Sequence, residues 1–494
     1  MATNHKDTKL RRIGRLLPLL VIGGLFVGAF LAASNPLFYS PNQSARDIYY
    51  NSDREIFTTF FYWYRSNGSD YATSAHLVEQ WDAATISKVN NFTYPSNWPG
   101  PTNANDMLVN GYHDAISHHP PADAPQYNAT GDVVGTLQTG VMSNITSWFD
   151  WLNSSWYEWE FRNMMKAGID VFMPVDWWNG QQNYWAYEGL QAMVAEWYQL
   201  RSKLPAEADV RDPTVTHDVA YAQNIMPKIA MFFDTTCMKQ LYCWNLSVTT
   251  GIDYNTAWNT YQGPDLKDPY WQQQFWQRIQ DFYDVVDNTT AFNFHGSNVV
   301  WLYSDGWFSD VGTSVLNYCK AQFLARYGRA LLFVGPNGWS KASVDGMCNW
   351  GSCCPGPVNP AATGIPVGAL GPGYYNIGAV AGQSPIYYSR DVTAYKAKWQ
   401  TLMNEGATWI HVETWNEYHE GTDISWTQEY GDQWINATRE MADIFHQMHG
   451  VIPFAGVNFA AVIVPLIGFA ALCAWYWRTT KKTAVPMREE KKLE

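Results

Sequence analysis

The chain has 494 residues, of which 47% are hydrophobic, 16% aromatic and only 16% charged, with a formal net charge of −13. Its 26 Trp, 30 Tyr and 23 Phe supply ample apolar surface to bury, which excludes a disordered or low-complexity chain. Both ends are basic, with Lys6, Lys9, Arg11, Arg12 and Arg15 against Asp7 at the start, so the long middle stretch is strongly acidic and no nucleic-acid binder is expected.

Residues 16–33 form an uncharged apolar run behind the first basic cluster. The run reads either as an uncleaved membrane anchor or as a signal peptide ending at Ala32-Ala33-Ser34. Residues 56–61 predict a strand that runs into Tyr62-Trp63-Tyr64. Ser155 and Glu158 have capping-box spacing, and Phe161, Met164, Met165 and Gly168 then keep the spacing of a buried helical stripe. Gly168 suits a helix end, residues 169–174 predict a short buried strand, and Asp176-Trp177-Trp178 lies just past it.

The same unit recurs. A helix near residues 188–203 precedes a strand at 228–233 and Asp234. Helical spacing at Phe275, Ile279, Phe282 and Val286 precedes a strand at 299–303 and Asp305-Gly306-Trp307. Leu316, Cys319, Phe323 and Tyr327 lead through Gly328 to a strand at 330–334, then to Trp339. Tyr395, Trp399 and Leu402 lead through Gly406 to a strand at 409–413 and Trp415-Asn416-Glu417.

Residues 340–373, rich in Gly, Pro and Cys, read as an irregular insertion. Residues 451–477 are a second uncharged apolar run, long enough to span a bilayer, with Trp475, Tyr476 and Trp477 at its end and basic residues beyond.

Strands alternating with helices predict an α/β fold with a parallel sheet, here a (β/α)8 TIM-like barrel. Six strands are clear, and residues 108–112 and 374–380 are the candidates to complete eight. A doubly wound open sheet is the rival, but no Gly-x-Gly-x-x-Gly follows the first strand. The expected organisation is a basic tail with an anchor or signal peptide (1–34), the barrel (35–450), a transmembrane helix (451–477) and a basic tail (478–494).

The basic flanks place both tails in the cytoplasm and the barrel outside the cell membrane. Nine sequons, at Asn42, Asn67, Asn91, Asn128, Asn144, Asn153, Asn245, Asn288 and Asn436, all lie in the middle stretch and suit a glycosylated exterior. Six of the seven Cys lie there too, which suggests disulfides. Cys237–Cys243 is the expected local bridge, and Cys348 is expected to pair with Cys353 or Cys354.

The densest polar cluster runs from His411 to Asp423. In a turn, the three-residue separation of Glu417 and Glu420 brings both carboxylates to one side. Two carboxylates sharing a water-poor pocket have their pKa values driven apart, which is what acid/base work on a glycosidic oxygen needs. Trp63, Tyr64, Trp177, Trp307 and Trp339 offer flat faces at strand ends for sugar rings, with core packing as the alternative. Asp176, Asp234, Asp305 and Asn416 are candidates for binding sugar hydroxyls, with helix caps as the alternative for the acids. His113, Asp114, His118 and His119 are either metal ligands or a hydrogen-bonded loop.

Trp415-Asn416-Glu417-Tyr418-His419-Glu420-Gly421-Thr422-Asp423-Ile424, followed by Glu429-Tyr430-Gly431, resembles the signature of glycoside hydrolase family 99-like proteins, which include endo-α-mannosidases. Phe61-Tyr62-Trp63-Tyr64 and the stretch from Lys166 to Phe172 with Trp177-Trp178 are similar to two further family segments. The resemblance covers residues 56–434. It implies a retaining hydrolase on α-linked mannose-like glycans of polysaccharides or glycoproteins. Glu417 would act on the sugar 2-hydroxyl and Glu420 as general acid and base, with no metal or other cofactor required. A non-catalytic glycan-binding surface or envelope protein on the same barrel is the competing expectation. A receptor or transport accessory has only the membrane topology in its favour.

Overall fold

The computed structural model describes residues 53–64, 87, 91, 118, 120–121, 124–128, 133–134, 150–178, 185–206, 225–351, 356–375 and 386–447. All belong to the compact unit of residues 40–449; residues 1–39 and 450–494 group separately, outside the described residues. Both apolar runs, 16–33 and 451–477, therefore lie outside the described residues. Among those residues no helix is long and apolar enough to cross a membrane.

Among the described residues the elements begin with β1 (Glu55–Phe60), α1 (Ser154–Ala167), β2 (Val171–Asp176) and α2 (Trp185–Lys203). Next come β3 (Lys228–Ile229), β4 (Met231–Phe233), α3 (Thr236–Thr250), α4 (Tyr254–Thr260) and α5 (Pro269–Val285). β5 (Ser297–Leu302), α6 (Val315–Tyr327), β6 (Ala330–Gly335), β7 (Gly346–Met347) and β8 (Val367–Leu370) follow. The last elements are β9 (Tyr374–Tyr375), β10 (Tyr387–Tyr388), α7 (Val392–Asn404), β11 (Trp409–Val412) and α8 (Gln433–Gln447).

The main sheet runs β7-β6-β5-β4-β2-β1-β11-β8, with every pair parallel. β3 pairs with β2 in register just before β4 and occupies the same strand position. The seam between β7 and β8 is bridged in parallel by Gly346 and Ile365, where the Ile365 N–H donates to the Asp345 carbonyl at 2.8 Å. Eight strand positions thus form a nearly closed barrel with helices outside, as the alternating pattern predicts.

The last two positions are not where the sequence places them. Residues 108–112 lie outside the described residues, and Tyr374–Tyr375 pairs antiparallel with β10 instead of joining the barrel. Positions seven and eight come from β7 and β8, inside the segment read as an irregular insertion. Among the described residues, only a 3₁₀ turn, Asn337–Ala342, separates β6 from β7. Gly368 in β8 is needed for packing, since a Cβ there would stand 2.8 Å from Cδ2 of Leu402 on α7.

Side-chain alternation sorts the strands into two layers. Phe57, Trp301 and Trp409 pack together inside the barrel with Phe292 and Phe294. Phe172 turns outward onto Phe161 of α1, and Phe233 onto Phe275 of α5. Helix α1 opens on Asn153, whose Oδ1 accepts from the Ser155 N–H at 2.9 Å. The expected capping box is therefore replaced, and Glu158 binds Arg162 and Lys203. Gly168 ends the helix at φ 79°, its N–H donating to the Met164 and Met165 carbonyls.

The Cys237–Cys243 bridge is corrected. Both residues are buried free thiols on α3. Six residues of helix separate two Cα atoms by about 9 Å, beyond the roughly 7 Å a disulfide tolerates. Cys348 is also a buried free thiol, and Cys353 and Cys354 lie outside the described residues.

Candidate active site

Beyond β11 the chain keeps contact with β1 before it turns away. The Trp415 N–H donates to the Thr59 carbonyl at 2.8 Å. Asn416 Oδ1 accepts from the Phe61 N–H and its Nδ2 donates to the Phe61 carbonyl, both at 2.8 Å. The Tyr64 hydroxyl donates to the Asn416 carbonyl at 2.9 Å and accepts from the Tyr418 N–H at 3.1 Å. Glu160 on α1 is fully buried and accepts from both the Trp156 and Trp415 indoles. Burial raises its pKa to about 8, against the pull of those donors.

These ties fix a turn that carries the two glutamates. Thr414 Oγ1 accepts from the Glu417 N–H at 3.0 Å, and the Thr422 N–H donates to the Glu417 carbonyl at 3.3 Å. Glu417 is 4% exposed, with Oε1 3.1 Å from His419 Nδ1. The His419 ring lies on that of Tyr64, with centroids 5.3 Å apart. Glu420 is partly buried, and the Tyr374 hydroxyl reaches its Oε1 at 3.4 Å. β9 also holds Glu420 through the Tyr375 N–H, which donates to its carbonyl at 2.7 Å.

Burial first, and then the charge of Glu417, raises the Glu420 carboxyl to about 8. It is therefore protonated at neutral pH, and a proton donor stands beside a second carboxyl group. Tyr303, at the end of β5, feels both. Burial raises its phenol most, followed by the charges of Asp234, Glu420, Glu413 and Glu417.

Tyr303 also lines a cavity of about 380 Å³ at the C-terminal ends of β4, β5, β6, β7 and β11. Its wall includes Asp305, Trp350, His411 and Glu413. Both oxygens of Glu413 accept from the Gly351 N–H, at 3.1 and 3.0 Å. His411 shares a 2.8 Å hydrogen bond with Thr59 Oγ1, and burial lowers its pKa to about 3, so the ring is neutral.

The other predicted residues divide sharply. Trp63 is partly exposed, 6.2 Å from His419 and 6.0 Å from Trp177 between ring centroids, so it borders the carboxylate turn. Trp177 is nearly buried and donates its indole N–H to Gln240 at 2.8 Å. Asp305 lines the cavity. Trp307 stands farther out, against Trp258 and Lys239.

Five of the residues expected at a sugar site have other partners in the fold. Asn416 spends its amide on the Phe61 backbone. The Tyr64 hydroxyl is engaged by the same loop. Asp234 accepts from the Thr236 N–H at 3.0 Å in the turn that leads into α3, one residue ahead of the Thr235 N-cap. Asp176 faces the helix layer, where burial raises its carboxyl to about 8 against the opposing charge of Arg278 on α5. Trp339 is fully buried and donates to the Tyr303 carbonyl, so packing accounts for it.

His118 is buried and paired with Asp423, while Arg390 donates to the carbonyls of Gly421 and Asp423. Burial alone would raise Asp423, but His118 and Arg390 hold its carboxyl below the usual range. This cluster locks the far side of the carboxylate turn. His113, Asp114 and His119 lie outside the described residues. Among the described residues no group of three His, Cys, Asp or Glu side chains could hold a metal ion.

The sequence alone assigns no site role to Tyr303, Trp350 or Tyr374, nor to Glu413 within the polar cluster. Glu413 and Tyr303 stand at the C-terminal ends of two predicted strands, and that position was their available signal.

The sequence model of the family described as "Domain of unknown function (DUF5010)" matches residues 153–450. The chain belongs to the DUF5010 family. That family stretch contains every barrel strand but β1, together with the whole carboxylate turn. No curated protein matches the sequence.

Among solved structures, the chain is similar to the GH99 endo-alpha-mannosidase from Bacteroides thetaiotaomicron, with 13% identity over 80% of this chain and 98% of that one, at a TM-score of 0.44. The same enzyme in complex with bis-tris-propane gives 13% identity, the same coverage and a TM-score of 0.41. A glycoside hydrolase-like protein gives 14% identity over 79% of this chain and 94% of that one, at a TM-score of 0.44.

Proposed function

We propose that this DUF5010 barrel is a glycoside hydrolase acting on α-linked, mannose-like glycans of polysaccharides or glycoproteins. The observation that carries the reading is the Glu420 carboxyl, held at about 8 by burial and by Glu417 on the same turn. In this reading Glu420 gives its proton to the departing glycosidic oxygen. Glu417 takes the proton of the sugar 2-hydroxyl as that oxygen attacks the anomeric carbon. The glycosidic bond breaks as the new C–O bond closes. Water then opens the resulting three-membered ring, with Glu420 as base and Glu417 returning its proton, so configuration is retained.

The surroundings support such roles. The turn is pinned to β1 by Asn416, to α1 through Trp415 and Glu160, and to β9 through Tyr375, which satisfies the need for a pre-set geometry. Membrane anchoring belongs to the same proposal. It is supported by the two apolar runs with basic outer flanks and by the sequons between them, which favour a barrel outside the cell. Asn288 and Asn436 are exposed on the fold and Asn153 caps α1.

The test is turnover of a panel of defined α-mannosides and other glycans by the full chain and by Glu417→Gln and Glu420→Gln. Wild-type cleavage, with loss of about 10²–10⁴-fold in each variant at unchanged fold, is expected. Wild-type rates in both variants would reject the assignment.

A further inference from the structure

The Glu417 backbone is tied at its N–H by Thr414 and at its carbonyl by Thr422. Those bonds leave the carboxylate free to swing about the side-chain torsions, whereas a group that takes a proton in a reaction has to point one way. His419, two residues on, supplies the hold. Its Nδ1 lies 3.1 Å from Glu417 Oε1, within the range of an N–H···O bond. Glu417 acts on Glu420 as a negative charge, and a carboxylate only accepts, so the ring nitrogen that faces it carries the proton.

The His419 ring is placed in turn by the stretch that follows β1. It lies 21° from parallel to the Tyr64 ring, with centroids 5.3 Å apart, and 6.2 Å from the Trp63 ring. Tyr64 is itself fixed. Its hydroxyl donates to the Asn416 carbonyl and accepts from the Tyr418 N–H, and its ring packs 6.2 Å from Trp156 and 5.5 Å from Tyr418. Burial first, and then the charge of Glu417, holds the Tyr64 phenol well above its usual range, so the hydroxyl keeps the proton it donates. A fixed aromatic ring thus sets an imidazole, and the imidazole sets a carboxylate.

We infer that His419 is a positioning residue for the reaction: seated on Tyr64, it donates from Nδ1 and holds the Glu417 carboxylate in the orientation that receives the proton of the sugar 2-hydroxyl. The inference rests on the glycosidase reading for the proton that Glu417 takes. His419 passes no proton itself and acts through Glu417. Its two functions are separable. A phenylalanine keeps a ring on Tyr64 and lacks the donor, while an asparagine keeps a donor close to the Nδ1 position and lacks the ring.

The experiment compares His419→Phe and His419→Asn with wild type on the full chain. It reads kcat and KM on the α-mannoside that wild type cleaves, the melting temperature, and nitrogen-15 NMR of histidine-labelled protein. His419→Phe should lower kcat about 10²-fold, as a misplaced catalytic group does, with KM nearly unchanged and the melting temperature kept. His419→Asn should recover much of that loss. In the NMR spectrum the His419 signals, assigned by their loss in His419→Asn, should show a protonated Nδ1 in wild type and should shift in Glu417→Gln.

A ring needed only for packing would give the reverse order, with His419→Phe near wild type and His419→Asn impaired, and would overturn the inference while leaving the hydrolase standing. A raised KM at unchanged kcat in both variants would do the same, because it would make His419 a sugar contact. A bare Nδ1 in wild type would overturn the inference whether or not any glycan is cleaved, and it serves even if His419→Phe fails to fold. A wild type that cleaves nothing, yet shows the protonated Nδ1 and its shift in Glu417→Gln, would reject the hydrolase and support the hold of His419 on Glu417.

Discussion

Asn416 and Phe61 form a closed hydrogen-bonded pair, each giving one donor and one acceptor to the other at 2.8 Å. The first barrel strand and the loop after the last one are thereby clamped beneath Glu417. Asn416→Ala leaves two buried backbone groups unsatisfied and should cost about 2–6 kcal/mol, at about 1–3 kcal/mol per lost partner. Urea denaturation measures it. A loss below about 0.5 kcal/mol would mean that the pair does not hold the loop.

Activity should fall as pH rises through about 8. The general acid works only while protonated, and Glu420 is held at about 8 by burial and the Glu417 charge. The alkaline limb of kcat/KM against pH measures this directly. A limb that continues flat beyond pH 9 would mean that another group supplies the proton.

Stability should decline as pH rises from about 4 to about 8. Asp176 titrates at about 8 in the fold against an ordinary 3.8, and Glu160 at about 8 against 4.5, so the folded protein binds more protons than the unfolded chain. That contribution is fully present below about pH 4 and is lost as pH climbs toward 8. Asp176→Asn removes its share, so its melting temperature relative to wild type should improve from pH 5 to pH 8. An equal difference at both values would contradict the buried-acid account.

Cys237 and Cys243 should both react with an alkylating reagent after unfolding without reductant. Peptide mass spectrometry of residues 237–243 should show two added groups. A disulfide between them would require α3 to break.

Much of this was legible in the sequence where local signals were strong. Six strands and the helices before them follow from apolar periodicity ended by Gly168, Gly328 and Gly406, each at positive φ. β7 and β8 escaped because strands of two and four residues in a Gly- and Pro-rich segment carry no periodicity. The cysteine spacing misled because a pair six apart looks like a small loop until the helix around it is seen.

At the site, the spacing of Glu417 and Glu420 was enough to pair them in a turn. What Asn416, Tyr64, Asp176 and Asp234 do was not readable. Their partners Phe61, Tyr418, Arg278 and Thr236 are either distant in sequence or backbone atoms, and a polar residue after a strand looks the same whether it faces a cavity or a neighbouring peptide. Glu160 carries the same lesson, since it reaches Trp415 across 255 residues of chain.

The account turns on Glu420 holding its proton at neutral pH through burial first and the charge of Glu417 beside it second. Carbon-13 NMR of glutamate-labelled protein, assigned with Glu420→Gln, reads this titration directly. The Glu420 carboxyl should titrate near 8 in wild type and at a lower pH in Glu417→Gln. A Glu420 step at the ordinary 4.5, unmoved by Glu417→Gln, would contradict the account.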